Sequence, residues 1–228
     1  QSWSLELAGP HNASAAIATS PKADLIATGS SFGKISLWDS DGNYQRALLG
    51  HEGGISSLDF SPDGRWLASC DTGGGSHGFG GITARVWNIE TGALHSVIPI
   101  PGWVNAIAFS PNSEQLAVSI EYFGTFLVFD LATGGSRSPA INGNTVRGLA
   151  WSPDGTELAC SHNSDNHLRV WDVKTLKVLR EVEAAGSNSL EWSPDGNSLA
   201  MQGSDGKVAI RDAKTLELLL VTDISARE

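Results

Sequence analysis

Residues 152–172 read SPDGTELACSHNSDNHLRVWD. The opening four residues form a turn: Pro153 presets φ, Asp154 caps the local backbone, and Gly155 takes a positive φ without a Cβ clash. Leu158-Ala159-Cys160 then reads as a short apolar strand, and Asp165 sits in a second, polar turn. Alternation from His167 onward gives another strand, which ends at Trp171-Asp172.

The same pattern runs the length of the chain. SPDG is intact again at 61–64 and 193–196, and Ser-Pro pairs begin at Ser20, Ser61, Ser110, Ser152 and Ser193, spaced 41, 49, 42 and 41 residues apart. Downstream of each lies an apolar strand ending in an aromatic-acid pair or its remnant: Trp38-Asp39, Trp87-Asn88, Phe129-Asp130, Trp171-Asp172 and Arg211-Asp212. Two markers that keep one period identify a repeat, and a period of about 40–45 residues with four short strands per unit points to a β-propeller. Apolar residues at helical spacing do not persist over a dozen positions anywhere, so the expected class is all-β.

The expected units, each with strands a to d, are 12–49, 50–98, 99–140, 141–183 and 184–223 of one propeller domain spanning 1–228. Strands a to c should be apolar because neighbouring blades cover them, and strand d should be more polar because it meets solvent. Residues 1–8 supply an extra strand, Ser2–Leu7, of the strand-d kind. That surplus leaves two arrangements: a self-contained five-bladed ring, or a stretch of a larger ring completed by further blades or by another chain.

These residues resemble the WD-repeat β-propellers. The resemblance rests on the repeated SPDG, on Gly50-His51 before the second unit, on Asp165 and Asp205 six residues ahead of positions 171 and 211, and on the Trp-Asp endings. It implies a hydrogen-bonded tetrad within a blade: His before strand a, Ser or Thr on b, Asp in the b–c turn and Trp on c. By this reading no unit keeps all four. The second has His51, Ser69 and Trp87 without the Asp; the fourth has Asp165 and Trp171 without Gly-His; Phe32 and Phe123 stand where the Asp belongs. Trp38 and Asp205 occupy repeat positions in the first and fifth units.

Composition narrows the function. With 15 basic and 25 acidic residues the net charge is −10, which repels phosphate backbones and anionic lipid, so neither nucleic acid nor membrane is an expected partner. No apolar run reaches the roughly 20 residues of a membrane helix and the start shows no signal pattern, which favours the cytoplasm. Cys70 and Cys160 fit no metal or redox spacing and read as buried thiols. His162, Asp165 and His167 are close in sequence, but without a fourth ligand they read as a turn, so no metal or other cofactor is expected. No GxSxG elbow is present.

What remains are aromatics on loops. Thr72–Gly81, TGGGSHGFGG, lengthens the b–c turn of the second unit and carries His77 and Phe79; it lacks the helix start and Lys-Ser or Lys-Thr of a phosphate loop. Phe32, Trp103, Tyr122 and Phe123 also map to b–c or d–a loops, which share one rim. These six residues make up a candidate partner-binding surface, with the alternative that the phenylalanines tuck between blades. The expected function is a non-catalytic scaffold or sensor module binding a protein or peptide; the competing class is a propeller enzyme with loop-borne residues at the channel mouth.

Overall fold

The Ser-Pro turns at 61, 110, 152 and 193 each close on their own serine. Ser61 Oγ donates to Asp63 at 2.6 Å and accepts from the Trp66 N–H at 2.9 Å; the same pair of bonds recurs from Ser152 to Asp154 and Glu157, and from Ser193 to Asp195 and Ser198. Gly64, Gly155 and Gly196 take φ of 75°, 73° and 73°, while the third repeat places Ser113 there at 63°. At the c–d turns the acid of the repeat is also a cap. Asp130, Asp172 and Asp212, with Asn88, each accept from the backbone and hydroxyl of the threonine three residues on. Local chemistry thus fixes both hairpins at one end of each unit before any long-range contact forms.

The computed structural model describes residues 14–22, 24–73, 81–121, 124–139, 145–162, 165–184, 187–203 and 207–223. They form five four-stranded antiparallel sheets, each a meander of consecutive strands. Blade 1 holds β1 (Ser14–Thr19), β2 (Leu25–Ser30), β3 (Ile35–Asp39) and β4 (Tyr44–Leu48). Blade 2 holds β5 (Ile55–Phe60), β6 (Trp66–Asp71), β7 (Thr83–Asn88) and β8 (Leu94–Pro99). Blade 3 has β9 (Ile107–Phe109), β10 (Gln115–Ile120), β11 (Thr125–Asp130) and a two-residue β12 (Ser136–Arg137). Blade 4 comprises β13 (Val146–Trp151), β14 (Glu157–His162), β15 (His167–Asp172) and β16 (Lys177–Glu183), and blade 5 comprises β17 (Ser187–Trp192), β18 (Ser198–Gly203), β19 (Lys207–Asp212) and β20 (Leu218–Asp223). The fold is an all-β propeller with no helix among the described residues. The expected extra strand Ser2–Leu7 lies outside the described residues.

The chain divides into two compact units, Gln1–Ile107 and Ala108–Glu228. In the first, the period-2 alternation of strands sends Ala27, Ile35 and Leu37 of blade 1 into one cluster with Ile55, Leu67 and Trp87 of blade 2. In the second, Leu168 and Val170 of blade 4 meet Leu190, Leu199 and Met201 of blade 5, and Phe126 of blade 3 meets Trp171 edge-on at 5.5 Å. Trp151 and Trp192 also donate to the carbonyls of Ala108 and Ala150, one strand a back. Within each unit, adjacent blades therefore pack sheet face to sheet face, each supplying what its neighbour cannot bury alone.

One expectation about polarity fails. Strand d is mostly polar in blade 4, but β20 exposes Leu218, Leu219, Leu220 and Val221 in succession, each about half accessible. The core does not require apolar residues on an outer strand, but exposure to solvent does not exclude them either.

Candidate functional site

The b–c end of blade 2 contains a closed polar relay. Ser69 and Asp71 are two apart on β6 and so share one face of the strand. His51, on the loop from blade 1, places Nδ1 2.7 Å from Asp71 Oδ2 and Nε2 2.7 Å from Ser69 Oγ. Trp87 Nε1 then donates to Ser69 Oγ at 2.8 Å. The bonding has one consistent assignment: Nδ1–H donates to the carboxylate, Ser69 O–H donates to Nε2, and the serine oxygen accepts from the indole. Every polar atom in the series is satisfied. The tetrad that the sequence reading finds incomplete is therefore complete, with Asp71 in place of an acid in the b–c turn.

Asp71 also ties the insertion to the sheet. Its Oδ1 accepts from the backbone N–H of Thr83 at 2.9 Å and of Gly73 at 3.3 Å, so one carboxylate holds both ends of the long b–c loop. Burial pushes its pKa up, but the hydrogen bonds from His51, Thr83 and Gly73 outweigh it and leave the group below the ordinary aspartate value.

Ser, His and Asp in this order and spacing match the geometry of a nucleophilic triad. Burial decides against that use. Ser69 is 0% exposed and the side chains of His51 and Asp71 are 0% and 1% exposed, so no substrate carbonyl can reach the hydroxyl, whose oxygen is already engaged by Trp87.

Around this relay the loops are in backbone contact. A Cβ on Gly33, at φ +78°, would fall 2.5 Å from His51 O, and one on Gly53 would fall 2.4 Å from Gly73 O. The b–c turn of blade 1, the 51–54 loop and the root of the insertion are thus packed edge to edge, as only glycine allows. Phe32 stands at the crest of the first of these turns. Its N–H and that of Lys34 donate to Ser30 Oγ at 3.3 and 3.1 Å, and the Ser30 N–H donates back to Lys34 O. The turn is fixed, and the Phe32 ring is 69% exposed rather than tucked between blades. On the d–a loop after blade 2, Gly102 and Val104 are buried and alternate with Trp103, which is 47% exposed.

His77, Phe79, Tyr122, Phe123 and Asp205 lie outside the described residues. Elsewhere, Trp38 Nε1 donates to Thr28 Oγ1 at 2.9 Å, a two-membered remnant of the relay. In blade 4 Cys160 occupies the hydroxyl position, and Trp171 Nε1 is buried with no acceptor among the described residues. His162, fully buried, occupies the place of Asp71, while Asp165 pairs with Arg169 at 2.6 Å and its carbonyl meets His167 Nδ1 at 2.7 Å. No group of three potential metal-ligating side chains converges among the described residues. Cys70 and Cys160 are buried free thiols whose pKa burial pushes well up.

Comparison with known proteins agrees with this architecture. The sequence profile described as "WD domain, G-beta repeat" matches residues 42–77 and 135–172. Eukaryotic translation initiation factor 3 subunit I of Scheffersomyces stipitis is 25% identical over 210 residues, covering 85% of this chain and 57% of that protein. Autophagy-related protein 16 of Arabidopsis thaliana is 26% identical over 195 residues, covering 84% and 36%. The periodic tryptophan protein 2 homolog of Schizosaccharomyces pombe is 33% identical over 250 residues, covering 93% and 28%. The chain thus spans a little over half the length of the first of these relatives and less of the others. Among solved structures, the Cps50 (Swd1) β-propeller domain of Myceliophteria thermophila superposes with a TM-score of 0.80 at 17% identity, covering 96% of this chain and 74% of that one.

Proposed function

We propose, from the premise that this chain is a WD-repeat β-propeller, that it is a non-catalytic module which binds a protein or peptide on the b–c and d–a loops of blades 1 and 2. The observation that carries this reading is the pairing of exposed aromatics with immobilised loops. Phe32 presents large apolar surface on a turn that close glycine contacts tie to the His51 loop, and Trp103, flanked by buried Gly102 and Val104, presents more at the same end of blade 2. A side chain fixed before binding loses little entropy on contact, and exposed aromatics of this kind anchor interfaces. His77 and Phe79, on the b–c loop of blade 2, belong to the same proposed surface by their place in the repeat; Tyr122 and Phe123 keep the corresponding place in blade 3.

A relative named as a subunit of a translation initiation factor supports a protein as the partner class. Against a propeller enzyme stands the burial of Ser69, His51 and Asp71, which leaves the triad-like set a structural one.

The test is a pull-down from a lysate with the chain and its Phe32→Ala and Trp103→Ala variants, beside thermal melts. Loss of a specific captured protein with melting temperatures unchanged supports the rim as the binding face. A Trp103→Ala variant that melts as low as Trp171→Ala makes Trp103 a packing residue and removes the proposal's main support.

A further inference from the structure

Blade 5 breaks the indole-hydroxyl pairing in a way that creates a second site. Where blades 1 and 2 place Trp38 against Thr28 and Trp87 against Ser69, the strand register of blade 5 places Arg211 at the indole position and Met201 at the hydroxyl position. A guanidinium therefore enters a slot between sheets whose usual acceptor has been replaced by a thioether. Arg211 Nη1 donates to Leu216 O at 2.8 Å, but Nε is buried and meets no acceptor among the described residues. Burial also draws the pKa of Arg211 down from its ordinary value.

The guanidinium lines a groove of about 170 Å³ beside the end of blade 4, walled by Ala184, Met201, Ala209, Leu218 and Val221, with Lys207 also on its lining. Two cations and no carboxylate line it among the described residues, in a chain of net charge −10. Leu218 and Val221 are 52% and 46% exposed, so the apolar wall is reachable from solvent.

We propose that this groove binds a peptide segment in which a carboxylate neighbours an apolar side chain. The carboxylate meets the Arg211 guanidinium in a charge-assisted hydrogen bond. The apolar side chain lies against Met201, Leu218 and Val221, and a volume of this size accommodates one branched aliphatic residue beside the carboxylate. An acidic side chain and a free C-terminus share this chemistry. The site belongs to the unit Ala108–Glu228 and uses none of the rim residues of blades 1 and 2, so it stands or falls separately from the rim.

The experiment uses the full chain and four labelled probes: acetyl-Leu-Val-Glu-Leu-amide, its Gln counterpart, acetyl-Leu-Val-Leu with a free carboxylate, and the amide of that tripeptide. Binding is read by fluorescence anisotropy and by the NMR resonance of the Arg211 Nε–H. The expected result is a carboxylate probe bound about tenfold more tightly than its neutral counterpart, the strength of one charge-assisted pair, with the Nε–H signal shifted. The pair that discriminates says whether the side-chain or the terminal carboxylate is read. Arg211→Met should abolish the discrimination, and Leu218→Ser, at an exposed position that the fold does not need, should weaken charged and neutral probes alike. Equal binding within both pairs, discrimination that survives in Arg211→Met, or an Nε–H signal unmoved by saturating probe overturns the proposal.

Discussion

Asp71 and His51 meet at 2.7 Å with both side chains sealed from solvent, although 20 residues separate them and the acid sits outside its customary turn. The pair joins two jobs: it orients the imidazole toward Ser69, and it anchors Gly73 and Thr83 at the two ends of the insertion. Removing one partner of such a pair strands the other. Asp71→Ala should lower unfolding stability by about 3 kcal/mol, read from urea denaturation. Ser69→Ala, which leaves the Trp87 indole and His51 Nε2 without their shared partner, should cost about 2 kcal/mol. The two losses should not add, since both act on one relay. Additive losses, or an Asp71→Ala variant as stable as the parent, would show that the relay does not act as a unit.

How much of this was legible in the sequence follows from which interactions are local. The turn caps, the five sheets and the strand order are encoded within a few residues of each Ser-Pro and Trp-Asp marker, and period and polarity suffice to find them. Asp71 was not found because the repeat places its acid in the b–c turn, and the glycine insertion moves that turn away. The signal was available: Asp71 follows Ser69 by two, on the same strand face. For Phe32 the sequence supports two readings, because a tetrad position and a turn crest coincide there. In sequence Arg211 is only a remnant of the Trp-Asp marker. What it faces depends on Met201 across the sheet and Ala184 of the neighbouring blade, which no local pattern encodes.

Backbone strain predicts two changes of opposite sign from one turn. In blades 2 to 5 the residue four after the c–d Asn or Asp donates its N–H to that residue's carbonyl with φ in the left-handed region: Gly92, Gly134, Leu176 and Leu216, at 73°, 70°, 54° and 60°. A non-glycine residue there costs about 1–2 kcal/mol, partly offset by the greater freedom glycine has when unfolded. Leu176 is only half-buried, so Leu176→Gly should raise stability by about 0.5 kcal/mol. Leu216 is 1% exposed in the cluster with Leu199 and Met201, and Leu216→Gly should lower stability by about 3 kcal/mol as lost burial overrides the relieved strain. Denaturation curves that shift in the same direction for both variants would refute the argument.

Acid should unfold the protein through its turn caps. Hydrogen bonds from the threonines three residues on hold Asp130, Asp172 and Asp212 below the ordinary aspartate value; bonds from Asn43 hold Asp39 low, and bonds from Ser152 and Thr156 hold Asp154 low. Ser193 and the Asn197 N–H bring Asp195 from 3.8 to about 2. Because these folded pKa values are depressed, the unfolded chain takes up protons first. Their stabilisation is present above the ordinary value and is lost as pH falls from about 4 toward about 2. Glu191, raised by burial, acts in the opposite sense but alone. Melting temperatures recorded from neutral pH downward should hold until about pH 4 and then decline, and Asp195→Asn should make that decline shallower. A melting temperature independent of pH across this window would contradict the capping account.

The outer edge of blade 5 should drive self-association. At the bulge position of strand d, paired with Leu37 in blade 1 and Val170 in blade 4, stand Arg46 and Arg180. Each reaches the next blade's c–d turn: Arg46 Nη1 donates to Glu90 O at 3.2 Å, and Arg180 Nε donates to Ala213 O at 2.7 Å while its other nitrogens hold Glu157 at 2.6 and 3.0 Å. In blade 5 that position, opposite Ile210, is Leu220, flanked by three more exposed apolar residues. Among the described residues β20 pairs only with β19; a strand with such an edge and apolar side chains is a template for another chain, and a second copy of this protein carries the same edge. Sedimentation velocity should therefore show the mean sedimentation coefficient rising with concentration. Leu220→Arg restores the residue type of blades 1 and 4 and sets a charge on the edge; it should suppress that rise while leaving the urea midpoint unchanged. A parent protein that sediments as a monomer at every concentration, or a variant that associates as strongly as the parent, would exclude β20 as the contact.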